Sequence, residues 1–193
     1  MILLHKLSGQ FSNCSILTLN SKVKVTKQIE IDELVFFVDN ENRVHSINIF
    51  DERVLNFSKN KPFQSISGIL EKKLIDNFSK KYSQFKFESS KKFVYGEILS
   101  RNIHPKSDKL FVLEIDIKSK KIQIVTNTLD SQVGKTVVLG LEGSITASGM
   151  NILNGKILDI DSHGMLISYQ TLGFAKKGLI FGEKIQVGKD FEF

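Results

Sequence analysis

A mainly β chain (α+β overall) in two parts is the fold class predicted by this sequence, and three observations predict it. Short apolar or alternating runs of the kind that form strands recur along most of the 193 residues. One stretch alone, near 65–82, places apolar residues at helical spacing. Glycine is unevenly distributed: Gly9 and Gly68 are the only two before residue 93, and the rest of the 13 follow it. That shift, together with the polar stretch Ser89-Ser90-Lys91-Lys92, predicts a small β-rich N-terminal domain, 1–88, and a second domain, 89–193.

In the first domain, residues 15–19 and 34–38 are apolar and β-prone, and Val23 and Val25 alternate with lysines. Residues 43–50 alternate Val44, Ser46 and Asn48 with His45, Ile47 and Ile49. Then Ile66, Leu70, Leu74, Phe78 and Tyr82 recur every four residues, which predicts one amphipathic helix near 65–82. Lys72, Lys73, Lys80 and Lys81 fall mostly off its apolar stripe. The second domain reads as nearly all strand, over 94–99, 110–117, 121–126, 136–141, 152–160 and 165–168. Turn chemistry separates these runs at His104-Pro105, Lys118-Ser119, Val133-Gly134, Ser148-Gly149, Asn154-Gly155 and His163-Gly164. Short strands with glycine at the corners predict a small closed barrel, and the missing long helices disfavour a nucleotide-binding βαβ unit.

Composition narrows the function. Apolar residues make up 41% and charged residues 25% of the chain, enough to bury a core. The lone Cys14 excludes an intramolecular disulfide framework and argues against a cysteine zinc cluster. No apolar run reaches membrane-spanning length, and the first twenty residues lack the continuous apolar centre of a signal peptide. The expectation is a soluble cytoplasmic protein with no membrane partner. The net charge is +6, from 24 Lys and 3 Arg against 21 acidic residues. A polyanion partner and AT-rich codon usage explain that balance equally well. Residues 59–92 hold nine basic and three acidic side chains, residues 93–193 twelve and eleven, so the excess sits on the helix and linker.

Nothing predicts catalysis. There is no phosphate loop and no glycine-rich dinucleotide fingerprint. His5, His45, His104 and His163 have no partner at metal-ligand spacing, and Pro105 breaks any helix that would align His104 with Asp108. Cys14 lies beside an apolar strand, where small thiols are usually inert, and Asp159 and Asp161 read as a solvated barrel rim. No catalytic residue, metal site or cofactor is expected.

Several segments, in order, resemble a known family. His104-Pro105-Lys106-Ser107-Asp108-Lys109-Leu110 resembles the His-Pro-x-Ala-Asp-Lys-Leu signature of the bacterial tRNA-binding domain. Gln123-Ile124-Val125 sits at the family's Gln-Ile-Val, and Val133-Gly134 at the glycine before its next strand. Ser162-His163-Gly164-Met165-Leu166-Ile167-Ser168 resembles Ser-x-Gly-Met-x-x-Ser, and Thr171-Leu172-Gly173 the Glu-Leu-Gly after it. Lys177-Gly178-Leu179-Ile180 and Val187-Gly188 echo the family's ending. The family includes a domain of the phenylalanyl-tRNA synthetase beta subunit and the endothelial monocyte-activating polypeptide. With the leader segment Ile47-Asn48-Ile49-Phe50 and the helix, the arrangement is similar to YtpR-type bacterial tRNA-binding proteins over essentially the whole chain. Two departures stand out. Thr126-Asn127-Thr128-Leu129-Asp130 replaces Cys-Gly-Ala-Pro-Asn, and Asp159-Ile160 replaces an Arg-Gly, exchanging an arginine for a carboxylate.

The resemblance implies an OB-fold, a Greek-key β-barrel that binds nucleic acid along its middle strands and in two loops. It implies non-catalytic recognition of tRNA, or of other structured RNA, by shape and phosphate charge. Lys106 and Lys109 would contact phosphates, while Asp108 folds their turn. Asn127 would bond RNA or complete its turn. Ser162 and Ser168 would donate to phosphate, unless Ser168 caps the short following helix. Met165 would touch a base or ribose, or pack the barrel core. Arg101, Lys80, Lys81, Lys91 and Lys92 would supply a supporting basic surface. The other reading is a protein-interaction module whose barrel has lost its RNA affinity. The sequence leaves homodimer formation open.

Overall fold

The computed structural model describes residues 1–51, 55 and 61–193. Two units emerge: Met1–Ser90 with Glu192–Phe193, and Lys91–Phe191. The architecture is mainly β throughout, with antiparallel sheets and, among the described residues, one α-helix.

The first unit holds strands β1 (Ile2–Lys6), β2 (Ser15–Thr18), β3 (Lys27–Ile31), β4 (Leu34–Val38), β5 (Val44–Ile49) and β6 (Phe63–Ile66). They form one six-stranded sheet in the order β3-β4-β5-β2-β1-β6. Helix α1 (Gly68–Lys81) contributes Leu74 and Phe78 to a core with Leu4, Leu17, Phe36 and Ile47. Aromatic packing closes that core: the Phe36 ring stacks on Phe85 with centroids 4.5 Å apart. Burial of each such side chain stabilises by about 1.5–3 kcal/mol before entropy is counted.

Three expectations change here. The helix begins at Gly68 rather than near 65, because Ile66 ends β6 in register with Ile2. Leu70 is 41% exposed, so the buried stripe starts a turn later than the four-residue period suggested. Val23 and Val25 lie in the connection before β3, whose ladder with β4 starts at Lys27 opposite Val38.

The second unit runs β7 (Phe93–His104), β8 (Ser107–Asp116), β9 (Lys121–Thr126), β10 (Thr136–Gly140), β11 (Asn154–Ile157), β12 (Ile160–His163), β13 (Met165–Leu166) and β14 (Phe181–Gly182). The main sheet has the order β13-β10-β7-β8-β9, and β14 pairs with β10. That sequence of neighbours is the Greek-key order of a partly open five-stranded OB-like sheet. Val94, Ile98, Leu113, Ile115, Ile124, Val137, Leu139 and Leu166 fill its interior.

The expected closure is incomplete. No backbone ladder joins β9 to β13 among the described residues. Side chains carry the link to the neighbouring β12 instead. The Val125 N–H donates to Ser162 Oγ at 3.1 Å, and Gln123 Nε2 donates to the Asp161 carbonyl at 2.8 Å.

Residues 152–160, read as one strand, bend back on themselves. Ile157 pairs with Ile160, and the two residues between them, Leu158 and Asp159, have φ of 46° and 70°. Two consecutive positive φ values are the mark of a primed hairpin turn, which matches the twist of its strands. Asn154-Gly155, the expected turn, lies within β11. β7 and β8 extend together beyond the residues that pair with β10 and β9. A register shift between Ile98 and Ser100 lets β7 continue to His104, where the hairpin turns back.

Candidate nucleic-acid interface

The turn after β7 and the β11–β12 hairpin occupy the places of the two binding loops of an OB-like sheet, and β8 and β9 are its middle strands. His104 ties the two loops together. It is 2% exposed, its Nδ1 accepts the Lys106 N–H at 3.0 Å, and Nε2 reaches the Ile157 carbonyl at 3.1 Å. With Nδ1 accepting, Nε2 carries the proton that is donated. In the sequence His104 is only a turn residue beside Pro105; its partner on the second hairpin is a tertiary fact.

The Lys106 ammonium is ion-paired with Asp159 at the hairpin tip. Both side chains are largely exposed, so the pair contributes about 0–1 kcal/mol. Its larger effect is electrostatic: the Asp159 carboxylate cancels the lysine's charge. Lys109 is exposed, and its ammonium has no partner among the described residues. The turn is folded by Ser107 rather than by Asp108: the Lys109 N–H donates to Ser107 Oγ at 3.3 Å. Asn127 is exposed just beyond β9. The turn there is completed by its neighbours, since Thr126 Oγ1 accepts the Thr128 N–H at 3.2 Å.

The serines of the Ser-His-Gly-Met segment are structural. Ser162 is 6% exposed and is used up in holding β12 to β9. Ser168 Oγ accepts the Thr171 N–H at 3.2 Å and lies 2.9 Å from Thr171 Oγ1, so it is tied to the short turn Gln170–Leu172, whose N-cap position is Tyr169. Met165 is half-buried, in register with Gly140.

The supporting basic residues divide. Lys92 is fully buried and donates from Nζ to the Gly143 carbonyl at 3.0 Å, so it is not surface charge. A buried ammonium requires such acceptors. Lys91 donates to the Gly188 carbonyl at 2.8 Å and lies 3.6 Å from Asp190. Lys81 stands 3.4 Å from Asp32, while Lys80 is exposed on the helix. The Arg101 guanidinium carbon sits 3.4 Å from the centre of the Phe111 ring.

A polar cleft of about 500 Å³ opens in the first unit, lined by Lys22, Lys24 and Arg43 and by Asp39, Glu41 and Glu88. Burial would raise the Asp39 carboxyl. The Arg43 N–H, the Arg43 guanidinium and the Glu41 N–H outweigh burial and hold it below its ordinary value. With three acidic groups beside its three cationic ones, the cleft is not a uniformly basic phosphate site. Among the described residues, no helix is long and apolar enough to cross a membrane.

An OB-like sheet with two loops flanking its middle strands defines a class of oligomer-binding domains. Residues 93–190 match the family model described as "Putative tRNA binding domain", just over half of the chain, and the chain belongs to that family. The phenylalanine–tRNA ligase beta subunit of Campylobacter jejuni is 38% identical over 85 residues, covering 44% of this chain and 11% of that one. The Bacillus subtilis protein named "Putative tRNA-binding protein YtpR" is 31% identical over 109 residues, 54% of each chain. The chain therefore spans between about a tenth and about half the length of these curated relatives.

Proposed function

We propose that this protein binds tRNA without acting on it chemically, through shape and phosphate charge, in the cytoplasm alongside the translation machinery. One observation carries the reading: the family match, 93–190, falls within the OB-like unit Lys91–Phe191. Shape recognition suits structured RNA, whose backbone presents phosphates and 2′-hydroxyls at fixed spacing. Binding belongs to the second domain. The lysine-rich segment 59–92 adds long-range attraction, because that is where the net positive charge lies.

Substitution of single lysines tests the interface. Lys109→Ala should weaken tRNA binding several-fold in a titration at low salt and reduce the slope of log K against log salt by about one. Lys106→Ala should weaken it too, because it leaves the Asp159 carboxylate uncompensated, but should change the salt slope less than Lys109→Ala does, because Lys106 is ion-paired and Lys109 is not. Unchanged affinity in Lys109→Ala contradicts the loop assignment.

A second reading has specific support. Ile103, Leu153 and Leu158 are 68%, 61% and 51% exposed on or near the hairpins that carry the Lys106–Asp159 and Lys156–Asp161 ion pairs. Exposed apolar side chains beside neutralised charge suit a protein partner better than a polyanion. Absence of a gel shift with total tRNA at low salt, together with recovery of a defined protein partner, would favour it.

A further inference from the structure

We propose that Arg101, seated on Phe111, anchors one pair of hydrogen-bond acceptors on the bound RNA. The inference rests on the tRNA-binding reading above and names the residue that gives the contact its geometry. Ile103 lies opposite Phe111 and Arg101 opposite Leu113, so Arg101 and Phe111 are diagonal neighbours across the β7–β8 ladder. One face of the guanidinium rests on the ring at 3.4 Å. Arg101 Nε is the one buried side-chain nitrogen or oxygen among the described residues that lacks a hydrogen-bond partner. That nitrogen is sealed from solvent, so the N–H groups that a ligand meets are those of the two terminal amino groups, which are not buried.

Lys106 pairs with Asp159, Lys121 with Glu114 at 2.9 Å and Lys156 with Asp161 at 3.9 Å. Arg101, like Lys109, has no ion pair among the described residues, so its charge is uncompensated where those of Lys106, Lys121 and Lys156 are balanced. Residue choice agrees. The chain has 24 Lys and 3 Arg, yet arginine stands at the one position of these hairpins where a planar cation covers a ring. Only the guanidinium offers both a flat stacking face and an in-plane fork of donors. The ring holds that fork in place, so little side-chain freedom is lost on binding. Ile103, 68% exposed two residues along the strand, gives an apolar shoulder for a ribose or base.

The matching chemistry is two acceptors lying in one plane. RNA supplies it either as two phosphate oxygens or as O6 and N7 of an unstacked guanine. The full-length chain, Arg101→Lys and Arg101→Ala are titrated with tRNA by fluorescence anisotropy at several salt concentrations, and each is melted as a folding control. Arg101→Lys keeps charge but loses the fork and the stack, and should bind about tenfold more weakly. Arg101→Ala should lose more. If phosphate is the acceptor, Arg101→Ala also lowers the salt slope by about one, and the loss is equal for RNAs of any sequence. If guanine is the acceptor, the loss is confined to guanine-containing RNA and the slope is unchanged. Wild-type affinity in Arg101→Lys overturns the proposal, because any cation would then serve. That result remains readable if Arg101→Ala fails to fold. Failure of the wild-type chain to bind tRNA would instead remove the reading on which the inference rests.

Discussion

Gly164→Ala is expected to destabilise the second unit by more than about 3 kcal/mol, among the largest effects of any single substitution. Gly164 has a φ of 110°, a conformation that side chains rarely adopt. A Cβ there would lie 2.3 Å from the carbonyl oxygen of Gly140. That oxygen belongs to the backbone of β10, which pairs with β13 at Gly140 and Met165, so it cannot swing away. The glycine of the Ser-His-Gly-Met segment is therefore there for close backbone approach, not for RNA contact. Gly155→Ala is the control: its φ is not in the left-handed region and a Cβ there meets nothing within 4 Å. It should stay within about 0.5 kcal/mol of wild type. Two units can unfold separately, so amide hydrogen exchange is the appropriate probe. The Val138 and Ile167 amides, which donate to Ile180 and Val138 carbonyls, should lose protection in Gly164→Ala and keep it in Gly155→Ala. Retained protection in Gly164→Ala would show that β10 and β13 can separate at little cost.

Asp159→Asn should tighten tRNA binding by about three- to tenfold at low salt and steepen the salt dependence by about one. Asparagine tolerates the positive φ of 70° at this turn position, so the hairpin is preserved. The substitution removes one carboxylate from the surface and releases Lys106 from its ion pair. A double-mutant cycle separates these effects. If the released lysine carries the gain, it should shrink in the Lys106→Ala background, where no ammonium remains to be freed. Weaker binding in Asp159→Asn would mean that the ion pair positions the two loops for RNA and does not oppose it.

Local patterns made much of the second unit legible. β9 falls where the alternation of Lys121 to Thr126 put it, and the hairpin turns at His104-Pro105 as proline chemistry requires. What escaped was whatever depends on partners distant in sequence. The turn at Leu158-Asp159 lacks the glycine or asparagine that signals a primed turn; pairing of 154–157 with 160–163 enforces it. Ser162 and Lys92 resemble surface groups in sequence and are buried, each satisfied by a backbone group of a separate segment. Lys106 stands in the loop that the His-Pro segment forms, but the charge opposite it comes from a hairpin 53 residues away. Arg101 carried no motif; its significance comes from a ring on the neighbouring strand and an unmatched Nε.

The central claim is tested most directly by titrating the full-length chain against tRNA and against a short unstructured RNA over a range of salt. Structured tRNA should bind more tightly, with log K falling linearly as log salt rises, as release of counterions from phosphates requires. Equal affinity for the two RNAs, or affinity indifferent to salt, would contradict recognition by shape and phosphate charge.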